Sequence, residues 1–583
     1  MLLGLFVLMS ISCKPDSTSS NDKPKDSASD SSDNNTLKVS QATTRTSSYK
    51  APSSIKKLSK LVVEEDRLLY FYSDLGSVGE QMYLDKPEEW ISSFEELEEI
   101  HENFENELKD ESKEVKDFVS AVLEDGLENG AVMGSVGIEN NLMSIAATLL
   151  EMEESGFDDS PETIFSFLNL DIAIQSNLVK HLPGLMKEEG ISFSPKANKY
   201  GFYTIREQGL TIGHKGDLVI LTTEKEQNAG KPFSNSTQNS KQLYNELVQA
   251  QNTLILAIPE DVKPLLSMAT EIAFKELPYY YPTDGLEYLL EDVINAYQKT
   301  IARAEILDND LHLSLSSHWD TESTYGQLLA NSCKRENNNP PLNLVSPSGK
   351  PLIYAVGDLC MEDDAAIFEE YLEDFIEAMV YDETYMSMTD FFGKSWSEII
   401  PELDGRYAFA IEDVDSRGIN FASGFIGLKD GVLKDKLEEF MPILLLADNS
   451  SKYYMMDDLE GIEKMYVSLE DDGIYMVGGS AASEEMLKRM IDGKWKKAPS
   501  VKHDGYAHID YAQILKTADV FGEMERELQT LLNLSKDMEL TLDEGRSEGK
   551  AEVSLTLNFD DKATGYKGPI LWQFVQLASD FGF

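Results

Sequence analysis

Leu311-His312-Leu313-Ser314-Leu315-Ser316-Ser317-His318-Trp319-Asp320 decides how this chain is read, because the stretch returns as Ala551-Glu552-Val553-Ser554-Leu555-Thr556-Leu557-Asn558-Phe559-Asp560. Both alternate apolar and polar residues with the period of two that puts one face of a strand against apolar surroundings. Each closes on an aromatic residue followed by Asp, and Thr324 and Thr564 follow at the same distance.

Working outward, three more blocks recur in the same order. Leu68-Leu69-Tyr70-Phe71-Tyr72-Ser73-Asp74-Leu75 is echoed by Leu352-Ile353-Tyr354-Ala355-Val356-Gly357-Asp358-Leu359. Leu178, Leu182, Pro183 and Leu185 are echoed by Leu437, Met441, Pro442 and Leu444. A hairpin-like stretch over 201–223, with turns at Gln208-Gly209 and Lys215-Gly216-Asp217, answers one over 461–479 that turns at Asp471-Asp472-Gly473. Chance similarity between acidic helices does not preserve order across four blocks, so an internal duplication is expected.

The strands read over 68–73, 203–213, 217–223, 253–258 and 309–319. Helical periods read over 92–108, 143–153, 172–187, 238–250, 261–275 and 284–303. The hairpins, and the paired alternating runs at 537–543 and 549–558, favour antiparallel sheet over parallel crossovers. The expected fold is α+β, two tandem copies of one mixed, largely antiparallel sheet-plus-helix unit. The first copy spans 57–336 and the second 351–583. The linker over 337–350 opens with Asn337-Asn338-Asn339-Pro340-Pro341 and carries Pro347 and Gly349.

The first residues read as an address. Met1 to Ile11 form an apolar run shorter than the ~20 residues a membrane-spanning helix needs. Ser12-Cys13 follows, and the composition then turns abruptly to Ser, Asp, Asn, Lys and Pro. This resembles the leader of bacterial lipoproteins, in which a small residue precedes a cysteine that receives the lipid. It departs from that pattern at Ser10, where an aliphatic residue is usual, and in having no Lys or Arg before the apolar run. The resemblance implies a signal peptide over 1–12, lipid attachment at Cys13, and a membrane partner reached through that anchor. Its further implication is a bacterial cell-envelope location, at the outer membrane facing the periplasm or the cell surface. Residues 13–56 have almost nothing to bury and are expected to be a disordered tether. At ~40 flexible residues its reach is on the order of 35 Å.

Charge excludes one class of partner. Lys and Arg total 51 against 104 Asp and Glu, for a formal charge of −53, so nucleic acid would be repelled. At 583 residues with 42% hydrophobic content, the chain is long enough for two cores.

The search for chemistry turns up little. Gly393-Lys394-Ser395 resembles the end of a phosphate-binding loop, but Met388 stands where its first glycine belongs, and a Ser starting a helix is the better reading. Asp413-Val414-Asp415-Ser416-Arg417-Gly418 opens like a calcium loop. Arg417 fills a ligand position and Gly424 replaces the closing acid, so a turn between strands is expected. His312 and His318 share a strand face about 20 Å apart, too far to chelate one ion. His503 and His508 flank a strand start with Asp510 nearby. No metal set, no cofactor and no catalytic residue is read, so the enzymatic reading is disfavoured.

Cys333 and Cys360 bracket the linker, and an oxidising compartment would let them pair; two buried thiols are the alternative. Tyr279, Tyr280 and Tyr281 form an aromatic patch that would suit an envelope protein or polysaccharide partner, or would seal a core edge. The expected function is that of a non-enzymatic binding or structural protein of the cell envelope, using the surface between the two units. The alternatives are a hydrolase with a site assembled from distant residues, and a carrier of an apolar ligand.

Overall fold

A computed structural model describes residues 68–73, 113, 116, 131–138, 168–188, 190, 192–207, 209–231, 253–276, 284–306, 310–330, 346–348, 350–358, 365, 371, 393–415, 418–444, 453–459, 462–495, 503–510, 513–514, 535–545 and 548–559. These lie in the compact unit Arg45–Phe583, and the other unit, Met1–Thr44, falls outside them. Also outside are Cys13, Cys333, Cys360 and Tyr279 to Tyr281, with the expected helices over 92–108, 143–153 and 238–250.

All the pairings in the sheet of 18 strands are antiparallel. In the first half run β1 (Leu69–Ser73), β2 (Ala131–Ile138), β3 (Leu168–Gln175), β4 (Tyr203–Glu207), β5 (Leu210–Lys215), β6 (Leu218–Thr222), β7 (Thr253–Pro259), β8 (Tyr297–Ile306) and β9 (Asp310–Trp319). In the second run β10 (Ile353–Asp358), β11 (Leu403–Asp415), β12 (Gly418–Leu428), β13 (Tyr454–Leu459), β14 (Ile462–Glu470), β15 (Gly473–Gly478), β16 (Gly505–Ile509), β17 (Ser535–Gly545) and β18 (Lys550–Phe559).

Across the first half the strands lie in the order β4-β5-β6-β3-β2-β1-β7-β8-β9. From the other edge the second half reads β13-β14-β15-β12-β11-β10-β16-β17-β18, the same order strand for strand. The halves join where β9 pairs with β18, and Ser314 stands opposite Ser554 at the middle of that pairing.

Among the described residues the helices are α1 (Leu182–Glu188), α2 (Lys263–Glu276), α3 (Asp284–Ala296), α4 (Thr324–Ala330), α5 (Trp396–Ile399), α6 (Val432–Leu444) and α7 (Glu484–Ile491). Ser483 caps α7 by accepting from the Met486 N–H, and the helix buries Leu487 and Met490. Among the described residues no helix is long and apolar enough to cross a membrane.

Large antiparallel sheet with flanking helices agrees with the α+β expectation, while several element readings need correction. The helix expected over 172–187 is β3 followed by a 3-10 turn and α1. Leu168, Leu170, Ile172 and Ile174 alternate, and pairing with both β2 and β6 outweighs the helical period. The helix over 284–303 stops at Ala296, and Tyr297 begins β8. The turn expected at Gln208-Gly209 is present: the run over 203–213 forms β4 and β5, and Gly209 has a φ of +83° suited to a tight turn. β13 contains Tyr454, which packs against Val467 in a core cluster.

Each half has its own core on the same face of the sheet. In the first, Tyr70, Tyr72, Met133, Phe202, Ile220 and Ile301 are all at most 5% exposed. In the second, Val356, Phe425, Tyr475, Val477, Leu487 and Met490 pack together, with the Phe425 and Tyr475 rings edge to face at 4.9 Å. In-sheet glycines make room for cross-strand rings. A Cβ on Gly134 would lie 2.4 Å from Phe71, and one on Gly357 equally close to Tyr407.

Candidate functional site

The seam between the halves concentrates the unusual features, and its geometry follows from register. Directly opposed residues in an antiparallel ladder share a face. Leu313 faces Leu555 and Leu315 faces Val553 across β9 and β18, while Ala304 and Ala302 continue the rows on β8. Leu540 and Leu542 continue them on β17. This apolar face is open: Leu315 is 48% exposed, Val553 41% and Leu540 38%. A hollow of about 440 Å³ lies there, lined mainly by Leu256, Ala302, Ala304, Leu313, Leu315, Val553 and Leu555. A soluble surface seldom leaves leucines grouped in a concave patch, and such patches mark binding sites.

The opposite face of the same strands is polar. Ser314, Ser316 and Ser554 are buried there. His312 Nδ1 lies 2.9 Å from Thr556 Oγ1, and His318 Nε2 lies 3.2 Å from Ser316 Oγ. The Lys550 ammonium donates to Glu552 and holds that carboxyl below the usual carboxylate range, against burial and with help from Arg303 and His312.

One strand further into the second half, His508 on β16 stands opposite Glu539 on β17, and Asp537 is two residues along on the same face. Their ligating atoms all lie within 4.8 Å of one another. The Tyr354 ring lies against the His508 ring at 5.2 Å. The Asn558 amide donates to Asp537. Burial pushes the Tyr506 hydroxyl well above its ordinary value, and hydrogen bonding to Tyr354 and the charge of Glu539 push the same way.

The remaining residues singled out in sequence have local roles. Asp510 caps a turn by accepting from the Gln513 N–H, and His508 Nδ1 has no hydrogen-bond partner among the described residues. His503 pairs instead with Asp543 at 2.9 Å on the surface. Ser395 precedes α5, with Lys394 bound to Glu402 at 2.9 Å. Asp413 to Asp415 end β11 and Gly418 begins β12, with Asp415 opposite Gly418, while Ser416 and Arg417 lie outside the described residues. Asp320 accepts from the Glu322 N–H in the turn before α4. Sequence reasoning noted His508 but not Asp537 or Glu539, which lie about thirty positions away with no motif spacing to betray them.

No family model matches this chain, and no curated protein does. Among solved structures it is similar to crystal form I of TP0453, at 8% identity and a TM-score of 0.21, over 46% of this chain and 80% of that one. Crystal form IV of TP0453 matches at 10% identity and a TM-score of 0.20, over 40% of this chain and 97% of that one. A likeness of that size carries no argument about fold or function.

Proposed function

We propose that this chain is an exported, lipid-anchored binding protein, formed by tandem duplication of one nine-strand unit, that takes an apolar ligand chain at the seam between its units. The hollow at the β9–β18 pairing carries this reading. Its volume of about 440 Å³ lies in the ~300–1,000 Å³ range of small-molecule sites, and its lining is dominated by aliphatic side chains. The identical strand order of the halves, centred on the pairing of Ser314 with Ser554, supports the duplication. The lipoprotein-like leader and its Cys13 support the anchor.

Binding of a fluorescent long-chain fatty acid to the purified chain tests the ligand reading. One saturable site is expected, with affinity falling at least tenfold in a Leu315→Asp, Val553→Asp double variant of unchanged circular dichroism. Absence of saturable binding, or equal binding by the variant, overturns it. Cys13→Ser is expected to move the expressed chain from the membrane fraction to the soluble one; an unchanged distribution rejects the anchor.

A further inference from the structure

We propose that His508, Asp537 and Glu539 form a site for one divalent transition-metal ion. One imidazole nitrogen and two carboxylates are a donor set suited to Zn²⁺ or its first-row neighbours, whereas Ca²⁺ and Mg²⁺ favour oxygen alone. The three donor atoms lie within 4.8 Å of one another, so a small side-chain adjustment brings all three to the ~2.0–2.2 Å bond lengths of one ion. Three protein ligands leave a fourth position open for water or another ligand.

A second observation points to an ion. His508 Nδ1 is buried without a hydrogen-bond partner among the described residues, and an orphaned buried ring nitrogen is costly. The two carboxylates add negative charge beside it. Among the described residues, the ammonium paired with them is that of Lys536, at 4.0 Å from Asp537 on a side chain 66% exposed. A cation coordinated through Nδ1 would satisfy that nitrogen and offset the charge together.

The surroundings are those that orient ligands. The Asn558 amide holds Asp537, the Tyr506 hydroxyl bonds to Glu539, and the Tyr354 ring lies beside His508 at 5.2 Å. The register explains why the ligands converge: His508 and Glu539 are direct cross-strand partners, and Asp537 follows at the next position on that face. The site lies on the sheet face opposite the apolar hollow and does not depend on the ligand reading.

Isothermal titration of the chelator-stripped full chain with Zn²⁺ tests the proposal, alongside Co²⁺ substitution read by visible d–d absorption. The expected result is one site per chain that His508→Ala and Glu539→Gln each weaken at least tenfold, with the Co²⁺ band lost. His503→Ala, at an exposed His–Asp pair, should leave both signals unchanged. Should His508→Ala fail to fold, Glu539→Gln alone decides, because its side chain is isosteric. Weak multi-site binding to the acidic surface, or stoichiometric binding indifferent to Glu539→Gln, overturns the assignment.

Discussion

Ala257 and His508 occupy the same place in two identically ordered ladders and have opposite chemistry. Tyr70 on β1 pairs with Ala257, which pairs with Ile301 on β8. Tyr354 on β10 pairs with His508, which pairs with Glu539 on β17. In the first half, Ala257 and Ile301 are 1% and 4% exposed and belong to the core. In the second, the same rungs carry an imidazole and a carboxylate. One backbone scaffold therefore tolerates either a sealed core or a polar cluster at this rung, and side-chain chemistry alone separates the two. Burying polar groups costs free energy unless something ligates them, so the apolar half is the cheaper solution.

The largest expected effect breaks that comparison directly. Ile301→Glu places a carboxylate in the first core without a partner and should cost about 3–5 kcal/mol or prevent folding. Glu539→Ile at the matching rung should leave metal-free stability unchanged or raised, because an apolar residue there removes a half-buried carboxylate. Urea midpoints of the two variants measure the contrast, and equal destabilisation would refute it.

Leu487→Ala sharpens it from the other side. Leu487, on the buried face of α7, is fully buried, and its truncation should cost about 2–5 kcal/mol. A much smaller loss in chemical denaturation would mean that α7 does not hold the second core.

A pH effect should separate the helices of the two halves. Burial pushes the Glu402 carboxyl up, but the backbone N–H groups of Leu433 and Val432 and the Lys394 ammonium together hold it below the ordinary carboxylate value. A carboxyl with a depressed folded pKa contributes stability above its unfolded value and loses it as the pH falls through the folded one. Glu402 sits at the N-terminus of α6, whereas α1 has no acid in its first turn. Acidification below about pH 4.5 should speed amide exchange in α6 more than in α1, by hydrogen-exchange mass spectrometry. At neutral pH, Glu402→Ala should cost about 1–3 kcal/mol.

The smallest effect belongs to the seam. Leu315→Asp or Val553→Asp should change stability by no more than about 0.5 kcal/mol, because both side chains are already exposed. A large shift in melting temperature would show that the hollow is a structural contact.

Part of the architecture was legible because its signal is local. The alternation in β9, β17 and β18 marked strands, and the tight turns at Gly209 and Gly216 marked hairpins. Strands with weaker patterns escaped. β2 reads Ala131-Val132-Met133-Gly134-Ser135-Val136-Gly137-Ile138, where glycines blur the period and Phe71 supplies the missing bulk from the neighbouring strand. The end of α3 escaped as well, since Ala296 and Tyr297 carry no stop signal and the switch to strand comes from pairing with β7 and β9.

Residue order alone was enough to set the period of each strong strand, the acidic surface, the leader-like start and the recurrence of blocks from one half to the other. Which side chains stand opposite one another was decided only in the folded sheet. Register is a long-range property: β18 meets β9 across more than two hundred residues, and His508 meets Glu539 across about thirty. Shifting either pairing by one residue would turn every side chain of that strand to the other face, so neither the apolar hollow nor the metal cluster exists until the whole ladder closes.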